Sequence, residues 1–549
     1  MQSIVFYHTR HPFLPLSIMS SFLYTEATLL FCFTLVFAKL FQPMGIRTAS
    51  IILSLSTFIS YGLGFIRDKT LAYFFGQTGL TDVYNLAFTI PDFIFTFCIA
   101  GALTGVFIPI YISHKEESTH KADELASIFL SVMGVFVTLI CIIAWIVTPD
   151  IMRLIPHTSE HIETAITMTR IMLLSPLILG LSNTIGSIHI AHKHFFSYSL
   201  SSIMYNLGII FGIVLLAPWL GIYAAAVGVL VGALMHASIR LFDLKNVPFH
   251  YRWTWTFQHP GFQKILLSMI PRSMGLASIT FVTFFCGIMG PQLTQGGFTA
   301  FTYARNFQSF PISFFGITLA TAVLPIISEL IHKKEFTLLG KRMNSSLRQL
   351  LFLTIPAGVG ISMLAPAIIS LLKGGAFTSQ DAQLTSSLLI FLSISIPFES
   401  LTHLYTRGFN AFENTYFPAF TNILFSLVAV SIIWTTSSFL GITSFALGWA
   451  AGGATQFFVL FLSYHFLYKC SPLEILPLFR TLLTSFLMCI GLWAALTTVF
   501  HYFSPSIFSL LLGIGIGSGV FFGLGFVFKA EEMEALRPIL ARFIPKKSL

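Results

Sequence analysis

Apolar runs long enough to cross a bilayer recur from residue 49 almost to the end of this 549-residue chain. That recurrence leaves few folds open. A helix rises 1.5 Å per residue, so about 20 apolar residues cross the hydrocarbon core. Backbone polar groups there must be satisfied internally, so runs of this length predict helices. Fourteen are predicted, at 49–75, 82–112, 125–147, 164–190, 197–217, 219–240 and 263–289, then 297–328, 346–372, 384–406, 416–437, 440–468, 480–500 and 505–529. Several have 27 residues or more, which implies tilt, kinks or ends projecting into water. The expected class is an all-α integral membrane protein. Composition agrees, with 9% charged residues against about 25% in soluble proteins.

Lys and Arg fix the orientation. With a cytoplasmic amino terminus, the inner segments hold 21 of them and the outer loops only Arg153 and Lys373, or four residues if Arg67 and Lys69 are counted there. Both termini are therefore predicted to be cytoplasmic. The net charge of +9 is explained in this way and implies no nucleic-acid partner. The six cysteines are scattered, without a CxxC pair, and read as small apolar packing residues. Residues 1–43 form an extension whose apolar run, Ala27–Ala38, is short for a span; it reads as signal-like or as preceding a misassigned start, with Met44 a natural first residue.

The chain repeats itself. GALTGVFIPIYISHKEE from Gly101 resembles ITLATAVLPIISELIHKKE from Ile317, setting Pro109 against Pro325. Pro149 then aligns with Pro366, and Pro176 with Pro397, at nearly the same offset. Six spans separate the copies, so the halves share one topology, as in parallel-repeat transporters with a site between the halves. The expected division is a lobe at 44–245, a second at 246–470, two extra spans at 471–530 and a cytoplasmic tail at 531–549. A duplicated bundle without transport is the plainer alternative.

Charge inside such spans is costly and marks pathways. The stretch from Ile59 to Asp92 holds Arg67, Asp68, Asp82 and Asp92; the second half holds Arg272, Arg305 and Glu399. Arginine stays protonated and its planar fork suits phosphate oxygens, so arginines converging on a dry cavity favour an anionic, phosphorylated substrate. The aspartates would pair them when the site is empty, or bind a coupling cation. Snorkelling or structural salt bridges are the alternative for Arg272 and Arg305. Among weaker signals, His192 and His194 flank Lys193 in a short inner loop and read as a solvated basic turn rather than a metal site. Gly515, Gly519 and Gly523 suit close helix packing more than a lipid groove, and the tail could lie on the membrane surface as an amphipathic helix. No phosphate loop, HExxH or nucleophile elbow occurs in a plausible context, so neither ATP hydrolysis nor other enzymatic chemistry is expected.

Ser60-Tyr61-x-x-Gly64-Phe65-x-Arg67-Asp68, Phe75-Gly76, Thr81-Asp82, Pro91, Gly101-Ala102 and Phe107-x-Pro109 resemble the start of the MurJ (MviN) lipid II flippases. Thr169-Arg170-Ile171-Met172, Tyr303-Ala304-Arg305, Gly375-Ala376-Phe377-Thr378 and Gly408-Phe409-x-Ala411 continue the resemblance over about residues 44–530. It implies the exporter superfamily that also holds MATE drug exporters, with two six-helix lobes and two further helices forming a groove for the lipid tail. It implies movement of an undecaprenyl-pyrophosphate-linked disaccharide pentapeptide to the outer leaflet by alternating access, cavity arginines engaging its head. No cofactor is implied; a coupling ion or the membrane potential would drive the cycle, and cell-wall synthesis proteins are expected neighbours. Arg67, Asp68, Asp82 and Arg305 match family positions of functional weight, and Arg170 falls in a matching motif. The chain departs from the family at Tyr61, at Phe95-Thr96 and at Ala100, so its first lobe has lost positive charge; Arg272 would restore one cation from the opposite lobe. A MATE-like cation-coupled exporter of organic cations, working through its acids, is the competing reading, and a non-transporting scaffold is a third.

Overall fold

The computed structural model describes residues 45–103, 106–155, 161–468, 475–502 and 507–527, with Pro43 and Glu532. Apart from those two residues, the extension at 1–43 and the tail at 531–549 lie outside the described residues. Fourteen described helices are long and apolar enough to cross a membrane. They are α1 (Ile51–Phe75), α2 (Gly79–Ala100), α3 (Thr119–Arg153), α4 (Ile162–Ala191), α5 (Phe195–Leu220), α6 (Tyr223–Leu244) and α7 (Pro260–Leu293). The others are α8 (Gly297–His332), α9 (Phe336–Ser370), α10 (Ser379–Ala411), α11 (Tyr416–Leu440), α12 (Thr443–Tyr468), α13 (Ile475–Thr498) and α14 (Phe508–Val527). Each predicted span has its counterpart. The second, 82–112, is divided: α2 closes in a π turn, and a separate helix, Phe107–Glu117, carries the chain on to the inner end. "Inner" and "outer" here follow the charge-based orientation.

The repeat is written in the backbone as well as in the sequence. Gly221 and Gly441 both end a long helix at φ 54°, and Lys193 and Glu413 both take a left-handed turn, at φ 64° and 60°. α2 and α8 are each interrupted by a π segment, Thr96–Ala100 and Ile312–Ile317, at matching places in the two halves. Extra residues of this kind break the regular ladder and commonly sit at functional bends. Pro91 lies shortly before the first and Pro311 directly before the second; each ring removes a ladder donor where the helix changes its winding.

Helices α1–α6 form one lobe and α7–α12 the other, while α13 and α14 pack on α9. Between α5 and α6 the approach is set by glycine. A Cβ on Gly208 would lie 2.4 Å from the Cα of Gly232, and one on Gly212 would lie 2.3 Å from that of Gly228. With lipid outside, close backbone packing rather than hydrophobic exclusion holds such helices together. The glycine stripe expected to pack on α14 does not: Gly515, Gly519 and Gly523 have open space, whereas Gly513 and Gly517 meet Leu364, Leu496 and Leu492. The four-residue spacing was sound, but the contact face lies on the register two residues away.

Three buried apolar clusters show how the lobes are packed. At the outer end one continuous core joins α1 and α2 to α7 and α8, through Leu71, Leu86, Val282, Cys286 and Phe298. Toward the inner end the core divides. One cluster holds Phe107, Phe129 and Leu125 with Phe262, Ile265 and Met269 of α7. The other holds Val323, Met343, Leu404, Tyr405 and Tyr464 of α8, α9, α10 and α12. The two inner clusters are separate from each other, and the first of them joins α7 to the first lobe.

Candidate functional site

Arg67 and Asp68 sit together on α1, where a polar pair in an apolar helix must find partners. Asp68 Oδ1 accepts from Arg67 Nε and Nη2 at 3.1 and 2.8 Å, and Oδ2 accepts from Asn306 Nδ2 of the opposite lobe at 2.7 Å. Arg67 Nη1 also reaches Asn206 Oδ1 of α5 at 3.4 Å. These groups line a cavity of about 570 Å³ between α1, α5 and α8. An adjoining space of about 390 Å³ reaches into the first lobe toward Asp92, Asn183 and His236 and shares Ser60, Arg67, Ser202 and Asn206 with the first. The walls thus offer one arginine, two carboxylates and many neutral hydroxyl and amide groups. Such neutral groups suit hydroxyl-rich or amide-rich ligands.

Arg305 lies deeper in the second lobe. Its guanidinium carbon stands 3.6 Å over the Trp449 ring, and Nη1 donates to Thr283 Oγ1 at 3.4 Å. Its buried Nε has no hydrogen-bond partner among the described residues. Glu399 and Asp92 are its charged neighbours. Glu399 Oε1 in turn accepts from Gln308 Nε2 at 2.6 Å, Ser395 Oγ at 2.7 Å and Trp449 Nε1 at 3.0 Å. One carboxylate therefore orients α8, α10 and α12 around the arginine, since breaking a buried charge-assisted network costs several kcal/mol.

Asp82 is not a cavity residue. It is 1% exposed, and its two oxygens accept from Gly296 N, Thr299 N and Thr299 Oγ1, each at 2.8 Å. Those donors open α8, so a carboxylate of the first lobe caps a helix of the second, where the partial positive charge of the helix start favours it. Gly296 sits at φ 75°, a left-handed position that aims its N–H at the carboxylate. Asn85 Nδ2 to Thr299 Oγ1 at 3.0 Å, Thr385 Oγ1 to Gln77 Oε1 at 2.6 Å and Ala376 N to Tyr73 O at 2.9 Å complete a closed outer end. Further in, Tyr61 bonds Ser313 and Asp68 bonds Asn306 across the α1–α8 seam. The α2–α7 seam is closed too, since a Cβ on Gly101 would meet Ser273 Oγ at 2.1 Å.

The cavity does not end in polar groups. Phe65, Phe307 and Phe310 line it and also line an almost wholly apolar groove of about 510 Å³ against α9, α13 and α14. Leu364, Leu492, Leu496 and Leu510 form its floor. The cavity that holds Arg67 and Asp68 and the apolar groove are thus neighbours, with these three phenylalanines as a common wall.

Two remaining candidates stand elsewhere. Arg170 donates to Trp145 O at 3.1 Å and stacks 4.1 Å from that ring on α3, away from the cavity. Arg272 is half-buried on α7, with Arg407 of α10 as its charged neighbour. Asn206, Asn306 and Arg407 were not singled out from sequence, although each is a polar residue within an apolar span. At the inner surface, His192 Nε2 meets Tyr111 Oη at 3.1 Å and Nδ1 meets Lys115 Nζ at 3.2 Å. Burial, followed by the neighbouring Lys115 and the nearby histidines, pushes its imidazole down to about 4. This histidine is a packed joint, not a solvated loop residue.

The comparisons agree with this arrangement. The family model for the lipid II flippase MurJ matches residues 71–514. A relative in Rickettsia prowazekii named probable lipid II flippase MurJ is 24% identical over 509 residues, covering 89% of this chain and 99% of its own length. Another, in Borreliella burgdorferi, is 25% identical over 401 residues, covering 73% and 79%. Among solved structures, a lipid II flippase MurJ in an inward closed conformation matches with a TM-score of 0.72 and 25% identity, over 88% of this chain and 99% of that one. An inward-facing MATE family transporter matches with a TM-score of 0.65 at 16% identity, over 77% and 98%, a likeness of fold alone. With the family model spanning most of the chain, from α1 to α14, the protein belongs to the MurJ lipid II flippase family.

Proposed function

We propose that this protein moves lipid II, a polyprenyl-diphosphate glycopeptide, from the inner to the outer leaflet of the cytoplasmic membrane by alternating access. One observation supports the reading beyond family membership: the cavity that carries Arg67, Asp68, Asn206 and Asn306 adjoins the apolar groove, with Phe65, Phe307 and Phe310 lining both. A substrate with a large polar head and a long hydrocarbon tail needs both chambers at once. A small organic cation would leave the groove empty, which disfavours the drug-exporter reading. The neutral Ser and Asn walls suit sugar and peptide, while Arg67 and Arg305 supply positive charge.

In the cycle, the head enters from the inner cleft while the tail stays in the groove. The lobes then rock about the π segments of α2 and α8, releasing the Asp82 cap and opening the outer end. Both termini stay in the cytoplasm. A coupling ion or the membrane potential drives the return, since one charge moving through 100 mV is worth about 2.3 kcal/mol. Enzymes of cell-wall synthesis would supply the substrate and take it up.

Replacement tests this. With its own flippase depleted, a bacterium expressing this chain should again present lipid II to a reagent that cannot cross the membrane, and Arg67→Ala or Arg305→Ala should abolish that signal. Well-inserted protein that leaves all lipid II inside would sink the proposal.

A further inference from the structure

The space that runs from the cavity into the first lobe contains a charge without a partner. Asp92, directly after Pro91 on α2, lines this space of about 390 Å³ and is half-buried. Among the described residues no hydrogen bond or ion pair reaches its carboxylate. The polar groups around it are already engaged. Arg67 is held by Asp68 and Asn206. His236 Nδ1 lies 2.8 Å from Ser182 Oγ. Asn183 Oδ1 accepts from Arg240 Nη1 at 3.0 Å, while its Nδ2 donates to Leu179 O at 2.8 Å.

The charge balance points the same way. Arg67, Asp68 and Asp92 are the charged side chains that line the cavity and this adjoining space. Arg67 and Asp68 offset each other at 2.8 Å. Arg305 is a charged neighbour of Asp92, but it lines neither space, stacks on Trp449 and has Glu399 beside it. One negative charge is therefore left facing the space. A half-buried carboxylate in such a place is costly until a cation joins it.

The walls say which kind of cation fits. A divalent metal needs several anionic or imidazole ligands, and no group of three such side chains that could hold one occurs among the described residues. A primary ammonium needs one counter-charge and acceptors for three N–H donors. Aromatic faces also suit it, and Phe88, Phe95 and Tyr205 line the space with Asp92. We propose that this first-lobe space is a seat for a primary ammonium group, with Asp92 as its counter-charge. On the flippase reading above, on which the ligand's source rests, that group is the free amine of the diamino residue in the lipid-linked pentapeptide. The layout suits such a molecule. The seat shares Ser60, Arg67, Ser202 and Asn206 with the cavity and no lining residue with the apolar groove, whereas the cavity borders both. A ligand with hydrocarbon at one end and an amine at the other is thus laid out across the cavity, and Asp92 selects for the amine.

The test is binding to the full chain in lipid nanodiscs, with two probes: lipid II carrying a lysine pentapeptide, and the same lipid with that lysine amine acetylated. Wild type should bind the acetylated form at least about tenfold more weakly, the loss typical of a charge-assisted contact. In Asp92→Asn the two affinities should come within about twofold of each other. Asp92→Glu should keep part of the preference, which guards against misfolding as the cause. Equal affinities in wild type, or a preference that survives Asp92→Asn, would overturn the seat. Binding that requires sodium but ignores acetylation would place an inorganic cation at Asp92 and overturn it too. An Asp92-dependent preference without lipid II reaching the outer face would leave the seat standing and defeat the flippase reading. Outer-face lipid II without any preference for the free amine would do the reverse, and no binding of either lipid would defeat both.

Discussion

Asp82 illustrates how a residue can matter without touching a ligand. Its three bonds at the start of α8 fasten one lobe to the other, and bonds to a charged acceptor contribute roughly 1.5–3 kcal/mol each. Asp82→Ala should therefore shift the protein toward an open outer end. A cysteine at Leu86, buried beside Gly287 on the α2–α7 seam, should react with a water-soluble thiol reagent at least about tenfold faster in that background. Unchanged reactivity would mean that the cap is not a latch. His192 makes a pH-dependent contribution. Its folded pKa, about 4, lies below the ordinary 6.5, so the folded state takes up its proton less readily than the unfolded state. The stability tied to its neutral form is full above about pH 6.5 and is lost as pH falls toward 4. Melting temperature should thus drop more between pH 7.5 and 5 in wild type than in His192→Gln.

At the scale of the helix, the two classes of glycine make opposite predictions. Gly208 packs against the Gly232 backbone, so Gly208→Val should cost about 3 kcal/mol or more, visible as a lower melting temperature or loss of folded protein. Gly515 faces open space, so Gly515→Ala should be neutral or stabilise by up to about 1 kcal/mol through helix propensity. Sequence periodicity could find the spans, because length and hydropathy report directly on hydrocarbon thickness. It could not tell which glycine face is packed, because spacing is the same for 513 and 517 as for 515 and 519. The roles of the charged residues were partly legible for a similar reason. Arg67 and Asp68 stood out as costly in an apolar run and do line the cavity. Asp82 stood out equally, yet its partner is a helix start more than 200 residues away in sequence, and only the fold brings the two together. Arg407 lies one residue beyond the tenth span predicted at 384–406, whereas the helix runs on to Ala411 and leaves it half-buried.

For the whole molecule, the repeat, the two lobes and the extra pair of helices could all be expected from the chain, three prolines in register and one family resemblance sufficing. What could not be expected was the state. The shared outer core and divided inner cores define an outer-closed form, so tying the outer end shut should stop turnover. Asn85→Cys with Thr299→Cys, whose side chains are now hydrogen-bonded across the seam, should be bridged by a short bis-thiol reagent. Outer-face lipid II should then disappear, while either single variant treated alike continues to work. Flipping that persists with the bridge in place would show that this seam does not need to open.

The three phenylalanines between chamber and groove have a consequence for scale. Because Phe65, Phe307 and Phe310 border both spaces, a passenger can be handled as a key on a cord: the key turns in the lock while the cord hangs outside. The protein then never has to enclose the whole passenger, and its work is independent of how long the cord is. A few dozen ångströms of protein can in this way serve a molecule larger than any room it contains.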